Sequence, residues 1–149
     1  MTVAHPRLGQ RWQEAKQLAV LAMFEDSATC QRVKEFCQNF AREVGTACKI
    51  TQHLWVASTL RLRELQEIAA EEACASDLII IAVHQAEAVP PEVRSWFSLW
   101  AHQKRGRGAV LVALLDGSAG GTAGSIQAFL QEVARTGGME FVLESEAGA

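Results

Sequence analysis

A chain of 149 residues with 49% apolar and 21% charged residues has the length and composition of one globular domain, able to bury roughly 70% of the surface its unfolded form exposes. Seventeen acidic against fourteen basic side chains give a net charge of -3, which supplies no electrostatic case for nucleic acid or an anionic membrane. The longest apolar runs, 78–83 and 109–115, are far too short to span a bilayer, and the first seventeen residues are too polar for a secretory segment, so a cytoplasmic protein is expected.

After a polar leader over 1–17, "LAVLAMF" (18–24) is a continuous apolar run that predicts a strand buried on both faces. "EDSAT" interrupts it. From Ala28 onward Val33, Phe36, Cys37, Phe40, Ala41 and Val44 fall on one face of a 3.6-residue period, a helix that Asp26 or Ser27 can cap and Gly45 ends. "KITQHLWV" (49–56) alternates, Ile50, Leu54 and Val56 against Lys49, Thr51 and His53, which predicts a half-exposed edge strand. Ser58 or Thr59 can then cap a helix whose inner face is Leu62, Leu65, Ile68, Ala69 and Ala73.

The run over 78–83 is unbroken, rich in β-branched residues and so predicts a central strand. Pro90 or Pro91 suits the first turn of the next helix, where a missing amide costs nothing, and Val93, Trp96, Phe97 and Trp100 form its inner face. Lys104 and Arg105 fall where a helix dipole favours cations. "AVLVALL" (109–115) is a further buried strand, followed by the loop "DGSAGGTAGS" and a helix with Ile126, Phe129, Leu130 and Val133 inward. Gly137 and Gly138 stop that helix, "MEFVL" (139–143) is the last strand, and 145–149 is a tail.

Five strands alternating with four helices require parallel strands joined by right-handed crossovers, with helices on both faces of the sheet. The amphipathic second strand belongs at an edge, which gives the order 2-1-3-4-5. The expected fold is a single three-layer α/β/α domain over 1–149, flavodoxin-like in topology.

In such sheets ligands bind at the carboxyl ends of the strands, where the order reverses between the first and third. The loops 23–29 and 83–91 meet there, bringing Glu25, Asp26, Ser27, His84, Gln85 and Glu87 together beside the glycine-rich loop. Glu25 and Asp26 suit Mg²⁺, which accepts one or two carboxylates and keeps its waters; equally, they complement the positive end of the first helix, with Asp26 as its cap. His84 has the chemistry of a general acid or base, or is a solvated histidine at a strand end; no nucleophile stands at a recognisable spacing from it, so no catalytic residue is assigned. Glycines 117, 120, 121 and 124 match neither a dinucleotide fingerprint nor a P-loop. Cys30, Cys37, Cys48 and Cys74 show no C-x-x-C spacing and read as free thiols. Trp96 and Trp100 belong to the core, whereas Trp55 stands where it can face a partner.

"ASDLIIIAVHQAEAVPPEVRSWFSLW" resembles the third strand, loop and helix of flavodoxin-like flavin reductases, and "AVLVALLDGSAGGTAGSIQAFLQEVARTGG" is similar to their next strand, loop and helix. The resemblance implies an FMN-binding, NAD(P)H-dependent oxidoreductase, with Ser27 and Thr29 at the flavin phosphate and His84, Gln85 and Glu87 in the loop against the ring. The first loop departs from that family, because Glu25 and Asp26 set negative charge beside a dianionic phosphate. The ring loop also lacks an aromatic residue, and the chain has no Tyr. The acidic pair is similar to that of receiver domains in two-component signalling, which hold a divalent cation there. Their phosphate-accepting Asp would fall close to His84, and no lysine follows Lys104, so this resemblance implies a degenerate relative. "MFEDSA", "LWVASTLRLRELQEIAAEEACASDLIIIAV" and "VPPEVRSWFSLW" resemble a group of short bacterial proteins that lends no mechanism. The expected function is a non-catalytic binding or regulatory module, with a homodimer left open.

Overall fold

The apolar runs lie side by side in one parallel sheet. The computed structural model describes residues 8, 12, 15–84, 89–104, 108–116 and 121–145. Its strands are β1 (Gln17–Phe24), β2 (Lys49–Val56), β3 (Leu78–His84), β4 (Val110–Asp116) and β5 (Glu140–Ser145), in the order β2-β1-β3-β4-β5. Between them run α1 (Ser27–Val44), α2 (Arg63–Cys74), α3 (Pro91–Trp100) and α4 (Gly121–Thr136). This is the flavodoxin-like arrangement, and it was legible in the sequence because a parallel sheet hides both faces of its central strands. Every side chain of β3 from Leu78 to Val83 is buried.

Alternate strand residues feed two cores. Leu21, Met23, Ile79, Ile81, Leu111 and Ala113 face α2, α3 and α4, while Leu18, Val20, Ala22, Ile80 and Val112 face α1. Each fully buried aliphatic side chain contributes about 1.5–3 kcal/mol relative to exposure. On the first side Trp96, Phe97 and Trp100 of α3 form an aromatic block, with Trp96 and Trp100 rings 5.2 Å apart and Phe97 set edge-on to Phe129 of α4. The indole N–H groups of Trp96 and Trp100 have no hydrogen-bond partner among the described residues, a cost this apolar block carries. On the second side the leader contributes more than its polarity implies: Leu8 is buried and Trp12 packs edge-on against Phe40 of α1.

Five local expectations are corrected. Neither Ser58 nor Thr59 caps α2. Residues Ala57–Arg61 form a 3₁₀ turn in which the Thr59 hydroxyl donates to the Val56 carbonyl, and α2 starts at Arg63 without a side-chain cap. The inner face of α2 is Ala69, Ala70 and Ala73, while Leu62 and Ile68 are exposed. On β2 Leu54 is exposed, and Trp55 turns inward, its indole N–H donating to Glu72 Oε1 at 2.7 Å. The glycine-rich stretch is in part helical, because α4 already begins at Gly121. Lys104 serves the end of a different helix from its own, α2 rather than α3. Arg105 and the tail 146–149 lie outside the described residues.

Two glycines do work no other residue could. Gly45 closes α1 with φ 98° and ψ 168°, a conformation open only to glycine, and its amide donates to the Ala41 carbonyl. At Gly137, just past α4, a Cβ would stand 2.9 Å from the Ala101 carbonyl oxygen.

Candidate functional site

Only Glu25 and Asp26 separate the end of β1 from the first turn of α1, so the chain must reverse within two residues at the carboxyl edge of the sheet. The reversal is held by a reciprocal cap. Asp26 Oδ1 accepts the Thr29 amide at 3.0 Å, and Thr29 Oγ1 accepts the amides of both Glu25 and Asp26 at 2.9 Å. The Thr29 hydroxyl in turn stands 3.1 Å from the Asp26 carbonyl and carboxylate oxygens, to which it donates. A helix start leaves orphan amides, and here one aspartate and one threonine satisfy three of the backbone donors around it.

The same two acids reach across to β3. Glu25 Oε1 accepts the His84 amide at 3.0 Å, and Asp26 Oδ2 lies 2.7 Å from His84 Nε2. The first and third strands are therefore tied together at the point where the strand order reverses. The Thr29 amide first, and the His84 ring second, hold the Asp26 carboxyl well below the ordinary carboxylate value of 3.8, at about 2. A carboxylate this close to an imidazole nitrogen fixes the orientation of the ring. His84 stands opposite Asp116 in the β3–β4 register, so the two strands end side by side at the carboxyl edge.

The depressed carboxyl carries a pH signature. A group that ionises more readily folded than unfolded stabilises the fold above its unfolded value, and that contribution disappears as pH falls through the folded value. Asp26→Asn, which keeps the capping geometry and removes the charge, is expected to melt below the wild type above pH 3.8, with the gap closing as pH falls towards about 2. Half of the side chain is in water, so the gap is smaller than the shift alone implies. Thermal melts of both proteins across this range check it; a gap that does not vary with pH counts against the charge.

Of the residues expected at the site, Glu25 and Asp26 each come within hydrogen-bonding distance of His84. Ser27 is exposed at the first position of α1, whereas Thr29 has 0% exposure and its hydroxyl faces the turn. Gln85 and Glu87 lie outside the described residues. Among the described residues no group of three or more His, Cys, Asp and Glu side chains is placed to hold a metal ion, so Mg²⁺ would rest on Glu25 and Asp26 with retained waters. Both carboxylates already accept protein donors.

Two helix-lined cavities lie elsewhere, about 430 Å³ between α2 and α3 at Cys74, Leu99 and Trp100, and about 220 Å³ between α3 and α4 at Phe97, Phe129 and Val133. Their linings come largely from the later turns of those helices, towards the end of the sheet opposite His84. All four cysteines are free, and burial pushes the Cys37 thiol up to about 11, which leaves it unreactive. Among the described residues no helix is long and apolar enough to cross a membrane. Sequence reasoning missed the structural role of Thr29, although Asp-x-x-Thr before an apolar helix is a capping signal. Comparison with protein-family models gives no match, and comparison with curated protein sequences gives none either.

Proposed function

We propose that this chain is a non-catalytic binding or regulatory module acting in the cytoplasm, a relative of the short bacterial proteins it resembles, with the carboxyl ends of β1 and β3, at Glu25, Asp26 and His84, as its ligand address. The observation that supports this reading is the closed first loop. A flavin phosphate needs unspent amides and hydroxyls at the start of α1. The amides of Glu25, Asp26 and Thr29 and the Thr29 hydroxyl are all engaged within the turn, and two carboxylates stand beside them. Titration of the purified protein with flavin mononucleotide, followed by flavin fluorescence, is expected to leave the emission unchanged. Quenching at micromolar flavin, or a protein that purifies yellow, would instead favour the FMN-dependent oxidoreductase, which oxidation of NAD(P)H by the flavin-loaded protein would then establish.

A second reading, a degenerate receiver-like domain, draws support from the acidic pair at the end of β1 with a histidine, not an aspartate, at the end of β3. It predicts a calorimetric Mg²⁺ signal that Asp26→Ala abolishes. Absence of any Mg²⁺ heat removes it.

A further inference from the structure

An edge strand presents a row of unpaired backbone groups, which proteins blunt with charge, proline or bulges. The two edges of this sheet differ in that respect. β5 carries Glu140 and Glu144 among its six residues. β2 pairs with β1 residue for residue over all eight positions, without a bulge or proline, and after Lys49 it contains no Lys, Arg, Asp or Glu. Two large apolar side chains that stay exposed among the described residues belong to this side: Leu54 at 45% on β2, and Ile68 at 46% on α2, one turn before the Glu72 that meets Trp55.

We propose that β2 pairs antiparallel with β2 of a second copy across a two-fold axis at Gln52, joining two five-stranded sheets into one. Such a contact is isologous, so each residue meets its mirror position in the strand. Ile50 falls opposite the partner's Leu54, and Lys49 opposite the partner's Trp55. On the face shared with α1, the half-buried Ile50 covers the exposed Leu54. On the face shared with α2, Trp55 donates to Glu72 Oε1 at 2.7 Å, and His53 Nδ1 stands 3.5 Å from the same oxygen. Lys49 of one copy therefore arrives beside the partner's Glu72, and the symmetry repeats the contact. Ile68, one turn before Glu72 on α2, flanks the same seam. This match of apolar to apolar along β2, and of Lys49 on β2 to Glu72 on α2, is made by one edge of the chain with the same edge of a second copy, which singles out that copy as the occupant. Two-fold closure leaves no further β2 edge to propagate a fibre.

Sedimentation of the full chain at tens of micromolar tests the proposal. The expected species has twice the 16.2 kDa chain mass. Leu54→Lys sets a charge in the apolar contact, and Lys49→Glu sets like charges at the partner's Glu72; each is expected to weaken the dimer by about tenfold or more. Both side chains are exposed in the single chain, so circular dichroism and melting of the dissociated variants should match a folded wild-type chain. A wild type that stays monomeric overturns the proposal. So does a dimer that neither substitution weakens, or an assembly that grows beyond two copies.

Discussion

Lys104→Met is expected to lower the unfolding free energy by about 2–5 kcal/mol, seen as a lower denaturant midpoint at unchanged slope. Lys104 is 1% exposed, and its ammonium donates to the carbonyls of Cys74 at 2.8 Å and Ser76 at 2.6 Å. The Cys74 carbonyl is the last of α2 and the Ser76 carbonyl lies just past its C-cap; the last turn has no basic residue of its own, so a cation from beyond α3 complements the negative end of the helix dipole. The 3₁₀ turn Ala101–Gln103 follows α3 directly, and Lys104 at its end reaches the carbonyls of Cys74 and Ser76. Methionine retains most of the length and packing of the lysine stem, so the loss isolates the donors rather than a cavity. Hydrogen exchange gives an independent check: the Ala75 and Ser76 amides, which bond back into the last turn of α2, should exchange faster in the variant. An unchanged midpoint would show that the cost of burying the ammonium already cancels its bonds.

The parts of this fold that were legible in the sequence are those where one local pattern has one three-dimensional meaning. The unbroken run of β3 has no polar face to expose, and Pro91 followed by Val93, Trp96, Phe97 and Trp100 describes a helix start and its buried stripe with little ambiguity. β2 and α2 were misread at Leu54 and Ile68 because periodicity sorts apolar from polar residues but cannot tell a core from an exposed seam. The side chains that turn inward there are Trp55, which uses its N–H on Glu72, and three alanines. Lys104 was placed correctly at a helix end, but which helix depends on the turn between Trp100 and Lys104. At the carboxyl edge the meeting of Glu25, Asp26 and His84 follows from strand order alone. Whether Thr29 would offer its hydroxyl to a ligand or spend it on the turn does not, because both uses ask for the same residue at the same helix start.

Thr29→Val separates those two uses, and it is expected to cost about 2–4 kcal/mol while Thr29→Ser costs about 1 kcal/mol or less. Valine matches threonine in shape, so the fully buried site stays filled. What disappears is the oxygen that accepts the amides of Glu25 and Asp26, and two part-buried donors lose their partner at once. Serine restores that oxygen at the expense of one methyl group. The effect should also travel beyond the turn: Glu25 and Asp26 hold the amide and the ring of His84, so loosening their backbone is expected to move the His84 amide resonance in Thr29→Val but not in Thr29→Ser. Chemical denaturation and an amide correlation spectrum read both outcomes. A Thr29→Val protein with wild-type stability and an unmoved His84 amide would mean that the turn holds without its hydroxyl. The loop could then turn that hydroxyl and its amides towards a bound anion, and the case for a closed, flavin-free corner would fall with it.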